Sequence, residues 1–427
     1  MTLASGFCRS QSSILPTRLS PIDSPRRPRC ARPLWLLACV TAGLLGACES
    51  SPQSESPAAD ATAATSSGTT ATVGEVTAET LDARMVIGPA AARTLGYRID
   101  WETSGVIGPN STVNQFAVQG DAVMVLDTRN LLSRIRVDDG RRVWQSPVGS
   151  AIDRMLSITR LTTAEWDRIF VPTEGTMFVV DASNGAQIEK HKFNRIANTA
   201  ATEAGRFFVF GGRTGEVIWH ELRVGQVWKI NALDGSIRVP PVIVGNDIAV
   251  VSSVGEVAVM DARSAQTIWR KRLLSGISAR PAAGDGMLFV AGEDQYLWAM
   301  RLADGQTVWK FFNDAPLRTG PFLLEDLLFQ RIPSEGLVAF EAFVTDQPDG
   351  RKVWVNKDVT GEVIGRKGSK LLVWDETNRV LSTLDRRGAT VDRIPLPQVE
   401  VLKVTAPIDG DLYAASADGR LIRLVPQ

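Results

Sequence analysis

The sequence predicts an all-β fold: an eight-bladed β-propeller of four-stranded antiparallel blades over residues 95–427, closed by pairing of its N- and C-terminal strands. Three observations predict it. First, a polar turn followed by an aliphatic residue and tryptophan recurs, as "VDDGRRVW" ending at Trp144, "LADGQTVW" at Trp309, "QPDGRKVW" at Trp354 and the worn "ARSAQTIW" at Trp269. With Trp101, Glu189, Trp228 and Asp392 these mark eight slots about 42 residues apart, the length of a four-stranded blade. Second, a polar turn leading into an apolar strand also occurs eight times, at Gly120–Asp121, Trp166–Asp167, Gly205–Arg206, Asn246–Asp247, Asp285–Gly286, Glu325–Asp326, Gly368–Ser369 and Gly410–Asp411. Third, the repeats begin on a lone fourth-type strand, "YRIDWE" (97–102), and end on a third-type strand, "GRLIRLVPQ" (419–427). Pairing the two completes the eighth blade and removes a free sheet edge.

Ahead of the repeats, residues 1–47 read as a lipoprotein-type signal peptide. All six basic residues before position 48 precede an apolar run, "PLWLLACVTAGLLGAC" (33–48), behind an unusually long basic region of 32 residues. An apolar stretch of roughly 15 residues is too short to cross a bilayer core, which needs about 20. "LGAC" (45–48) resembles the bacterial lipobox, which makes Cys48 the expected lipidation site. Glu49, rather than Asp, then points to the outer membrane by the enterobacterial sorting pattern. Residues 48–94 follow as a tether, its Ser, Thr, Ala and Pro holding almost nothing that can bury surface.

Within the repeats, 284–312 shows the blade grammar. A turn, a strand from Met287 to Ala291, a turn at Gly292–Asp294, a strand from Tyr296 to Leu302, the Asp304–Gly305 turn and a strand ending in Trp309 and Phe311 follow one another, with a further strand expected around Ser278–Ala283. The Asp-Gly makes the tight turn into the outermost strand. The recurring Trp reads as an apolar plate packed between neighbouring blades, since repetition around a ring fits packing better than one binding site.

Composition narrows the function. All four cysteines (Cys8, Cys30, Cys39, Cys48) lie in or before the signal segment, so the mature chain has no disulfide and no thiol beyond the anchor. Removing residues 1–47 leaves 47 − 6 = 41 basic against 47 − 1 = 46 acidic residues, a net charge near −5 that gives no electrostatic case for nucleic acid.

At "DASNG", "LADGQTVW" and "VDDGRRVW" the sequence resembles the repeat of the quinoprotein (PQQ-type) eight-bladed propellers, over about 95–427. Within that superfamily the lipid anchor, the tether and the lack of a second domain resemble the lipoprotein subunit of the outer-membrane β-barrel assembly machinery. The resemblance implies a monomeric, periplasm-facing scaffold whose partners are envelope proteins, a β-barrel assembly protein among them. The enzyme branch holds quinone with an adjacent Cys-Cys disulfide and calcium-binding acids, and some members add a Cys-x-x-Cys-His haem site. This mature chain has no cysteine for either, which argues against quinone catalysis; a quinone-dependent or other small-ligand propeller and an envelope sensor or structural protein are the alternatives.

The residues themselves offer no catalytic set, no cofactor and no metal site. His191 and His220 lie in different units without ligand-spaced partners and read as solvent-facing strand or turn residues. "GRTGEV" (212–217) sits at a hairpin turn rather than at a phosphate loop. Trp166 occupies a turn slot where other blades place Gly or Asp. It reads either as an indole folded onto a neighbouring loop or as an anchor for a protein partner. The long connections 145–165 and 341–350 are further candidates.

Overall fold

The structure, a computed structural model, describes residues 82–427. The expected signal peptide, Cys48 and the expected tether as far as residue 81 lie outside the described residues.

Thirty-two strands form eight four-stranded antiparallel sheets. The first complete blade runs in chain order through β2 (Val113–Gln119), β3 (Ala122–Asp127), β4 (Leu131–Arg136) and β5 (Arg142–Pro147), and six more repeat that order. The eighth is β30 (Val401–Val404), β31 (Leu412–Ala415), β32 (Leu421–Pro426) and β1 (Tyr97–Thr103), with Tyr97 opposite Pro426 and Thr103 opposite Leu421. The ring is thus closed by its two terminal strands, as the sequence predicts. First strands of successive blades approach one another and form the inner wall. All six residues of β3 are buried, because neighbouring blades cover both of its faces, whereas outer strands alternate between exposed and half-buried residues. Each hydrophobic cluster lies between adjacent blades; Val257 and Val259 of blade four, for example, pack with Leu288 and Val290 of blade five.

Every outer strand carries one β-bulge at the same register. Val259 pairs with Trp269 and Met260 with Thr267, leaving Ile268 extra. By this register the interblade slot holds Trp101, Trp144, Glu189, Lys229, Trp269, Trp309, Trp354 and Asp392. Trp228, which the sequence reading places in the slot, is instead the bulged residue of its strand. It stacks on Phe207 at 4.7 Å, and five tryptophans, not six, serve as interblade plates.

Four of the five plates dock by one geometry. The indole N–H of Trp269 donates to the Leu302 carbonyl at 2.6 Å, and those of Trp101, Trp144 and Trp309 donate to Val137, Ala182 and Ala342 at 2.7, 2.9 and 3.0 Å. The ring lies flush on the turn glycine of the next blade. A Cβ added to Gly305, whose φ is +72°, would stand 2.6 Å from the Trp269 ring. Glycine is required there twice, for the left-handed backbone and for the approach.

Packing reaches upstream of residue 95. Val86, Ile87, Ala92 and Leu95 are buried in one cluster with Leu372 and Leu412, bracketing the short helix α1 (Pro89–Thr94). Gln398 ties this segment down by donating to the Ala83 carbonyl at 2.7 Å. The propeller body therefore takes in residues that the composition assigns to the tether.

Candidate functional site

Trp166 is presented on a braced turn between β6 (Thr159–Thr162) and β7 (Asp167–Pro172). Thr163 closes the turn, its amide donating to the Trp166 carbonyl at 2.8 Å and its hydroxyl accepting from the Trp166 amide at 3.2 Å. Behind it, Arg160 donates to both carboxylate oxygens of Asp167 at 2.8 and 2.6 Å and reaches Asp121 of the preceding blade. Those bonds hold the Asp167 carboxyl below the ordinary carboxylate range. The turn cannot swing without breaking a bidentate ion pair.

The indole is half-buried. Its lower part meets Phe170 edge-on at 5.9 Å, and the Arg168 guanidinium lies 5.2 Å from its ring centre. The rest lines a groove of about 480 Å³ between blades two and three, with Leu161, Glu203, Arg206 and Leu222. Glu203 is pushed up from its usual carboxyl pKa by burial. Arg223 bridges to Glu165 at 3.4 Å across the rim. Gly205 and Arg206 also line the next groove, of about 510 Å³, with Phe207 and Ile243. The Arg206 guanidinium sits 4.8 Å from the Phe207 ring and 5.6 Å from the Trp228 ring. The two grooves make one strip in which fixed aromatic faces alternate with guanidiniums, the composition of a protein-docking surface. Trp166 is packed down on one side, against Phe170, and open to the groove on the other.

Of the predicted connection 145–165, Leu161 to Glu165 line the groove beside Trp166, while the rest does not. Residues 148–158 lead into an inner strand and so lie at the opposite end of the blades. Residues 343–350 are on the turn face but pair with blade five, where Lys310 donates to Pro348 at 2.9 Å.

The histidines correct the sequence reading. His191 of blade two and His220 of blade three are not solvent-facing; their rings stack at 5.3 Å and 29°, with His191 Nδ1 3.2 Å from His220 Nε2. His191 fills the plate position that Glu189 leaves vacant and lies on Gly225 as a tryptophan would. His220 is fully buried, and burial, with the His191 charge second, pushes its pKa down to about 4. Glu189 accepts from His191 Nε2 at 2.8 Å, so the pair is an interblade contact in which only the buried His220 Nδ1 lacks a partner. Among the described residues no group of three or more His, Cys, Asp or Glu is arranged to hold a metal.

Sequence reasoning missed a second cavity, in the inner wall of blades five to seven, lined by Arg280, Arg318 and Arg331. A usable signal was present in the recurrent segments "IRVPPV" (237–242), "ISARPA" (277–282) and "LRTGPF" (317–322), which enter successive inner strands.

Against known proteins, a family model described as outer membrane protein assembly factor BamB matches residues 204–326. Outer membrane protein assembly factor BamB of Burkholderia pseudomallei is 28% identical over 127 residues, 30% of this chain and 33% of that protein, so the match spans about a third of the relative's length. The crystal structure of BamB from Moraxella catarrhalis aligns with a TM-score of 0.58 at 20% identity, over 76% of this chain and 98% of that one. The computationally designed Ika8 protein gives the same TM-score at 10% identity, over 75% and 98%.

Proposed function

We propose that this BamB-like PQQ-repeat propeller is a non-catalytic protein-binding scaffold of the cell envelope that serves outer-membrane β-barrel protein assembly. The observation that carries the reading is the match of residues 204–326 to the assembly-factor family, because that segment contributes Gly205, Arg206, Phe207 and Trp228 to the aromatic strip. Lipid on Cys48 would tether the body to the periplasmic side of the outer membrane, and Trp166 would anchor a β-barrel assembly protein in the groove. The rigid turn favours this role, since a pre-ordered aromatic loses little conformational entropy on docking.

A photo-reactive residue at Glu165, on the rim beside Trp166, tests the site in native membranes. The expected product is a crosslink to a β-barrel assembly protein. Crosslinking only to lipids or to unrelated envelope proteins overturns the assignment. Labelling with a radioactive fatty acid tests the anchor separately: label is expected on the parent chain and lost from Cys48→Ala.

A further inference from the structure

The inner-wall cavity lies toward the opposite end of the blades from Trp166, and nothing in the scaffold reading uses it. Its volume of about 510 Å³ is that of a small-ligand pocket. The walls come from the chain entering β18 (Ala282–Gly284) and β22 (Phe322–Leu324), from β23 (Leu327–Ile332) and from the start of β26 (Glu362–Lys367). Pro281 and Pro321 stand one residue ahead of β18 and β22 and fix the backbone there. Where the two segments meet, a Cβ on Gly320 would stand 2.7 Å from the Arg280 carbonyl oxygen, so the wall is packed backbone to backbone.

The charges on this frame are unbalanced. Arg318 has only Glu293, at 4.0 Å, and Arg280 and Arg331 make no ion pair among the described residues. Arg280 is exposed at the cavity, and the desolvation it does suffer from the surrounding wall pushes its pKa down. The one acid of the wall, Glu362, is pushed up by burial against the pull of the nearby Arg331, which leaves Arg280 as the guanidinium with no acid acting on it. Ser278 adds a buried hydroxyl with no hydrogen-bond partner. Three exposed guanidiniums at one cavity favour an anion, and the unpartnered buried Ser278 hydroxyl, which is costly as it stands, gains an acceptor from the same anion. The apolar surface open to the cavity is that of the half-buried Phe322 and Leu323, with Phe329 and Leu337 buried behind them. A bare inorganic anion would leave that surface wet.

We propose that this cavity binds a carboxylate borne on an apolar body, with Arg280 and Arg331 gripping the carboxylate and Phe322 and Leu323 flanking the body. Guanidinium forks match a planar carboxylate with parallel hydrogen bonds, and chain termini are captured in this way. Two sources supply that chemistry: the C-terminal residue of a polypeptide, and a free small aromatic acid.

Calorimetric titration of the full chain decides between them. The probes are a glycine-serine pentapeptide ending in phenylalanine with a free carboxylate, its C-terminal amide, and N-acetylphenylalaninate. At least one acid is expected to bind, with the amide and the Arg280→Ala variant each weaker by about tenfold or more, the usual worth of a charge-assisted bond. Tighter binding of the peptide acid assigns the site to chain ends; equal binding of both acids assigns it to the small acid. Binding of the amide as tight as the acid, no binding of either acid, or unchanged affinity in both Arg280→Ala and Arg331→Ala overturns the proposal. Arg280→Gln, with an unchanged unfolding midpoint, guards against a folding artefact. Trp166→Ala is expected to leave this titration unchanged, so failure here and failure of the scaffold reading are separate results.

Discussion

Lys229 donates from its ammonium group to the Ala265 carbonyl oxygen at 2.8 Å, at the one interblade turn between Gly140 and Gly388 where alanine replaces glycine. The two substitutions explain each other. Elsewhere an aromatic ring lies flush on the turn glycine and leaves no room for a methyl group. A lysine has no plate to lay down, so the Ala265 methyl fits, at a φ of +52° and fully buried.

Gly305→Ala is therefore expected to be far more damaging than the reverse change at 265. It places a Cβ 2.6 Å from the Trp269 ring on left-handed backbone, for a loss of about 2–4 kcal/mol. Ala265→Gly relieves the backbone but gives up a buried methyl and gains unfolded-state entropy, a net change within about 1 kcal/mol. Denaturant unfolding of the two variants checks the contrast; equal losses contradict the docking account.

The plates also differ in their polar ends. The Trp309 N–H donates to Ala342 at 3.0 Å, whereas the buried N–H of Trp354 has no acceptor. The turn that Trp354 meets is one residue shorter, since Asp392 stands seven positions after Asp385 whereas Trp269 stands eight positions after Asp261. Trp309→Phe should thus cost about 1–2 kcal/mol more than Trp354→Phe, because only the former leaves a carbonyl without its donor. Thermal melts of the two variants decide it, and the opposite order would contradict the assignment.

Blade number, slot spacing and closure were legible because each is a period or an end effect, and a period of about 42 residues survives the loss of individual tryptophans. The bulge was not: it adds one residue to every outer strand alike, leaves the spacing unchanged, and so hides that Lys229 rather than Trp228 faces the next blade. The His191–His220 contact was illegible for another reason. It joins two blades, and strand patterning states which face a residue occupies without saying what the neighbour puts there. Trp166 was visible as an odd residue in a repeated slot, whereas the groove beside it depends on Leu222 and Arg206 from the next blade.

The buried histidine gives the propeller an acid limit. The His220 pKa falls from 6.5 to about 4 on folding, so the unfolded chain binds the extra proton first as pH drops. Stability is complete above about 6.5 and is lost as pH falls toward 4, by about 3 kcal/mol for this group. His220→Gln is expected to flatten unfolding midpoints across that interval, although it lowers them at neutral pH. An unchanged slope would remove His220 as the cause.

Closure by strand pairing makes its own prediction. Six register pairs join β1 to β32, and the Tyr97 hydroxyl donates to the Gly410 carbonyl at 3.0 Å. Deleting 421–427 strips β1 of its partner and exposes both edges of the eighth blade. Hydrogen exchange should then accelerate first in 86–103 and 401–415, ahead of blades three to five. Uniform acceleration around the ring would contradict closure at this seam.

The most direct test of the scaffold account is affinity capture of the protein from native membranes, in parallel with Trp166→Ala, with mass spectrometry of the co-purifying proteins. The account predicts a β-barrel assembly protein carrying periplasmic domains with the parent, depleted at least about fivefold in the variant, as expected when an interface hot spot is truncated. Capture of no β-barrel assembly protein, or equal capture by a folded Trp166→Ala, would contradict it.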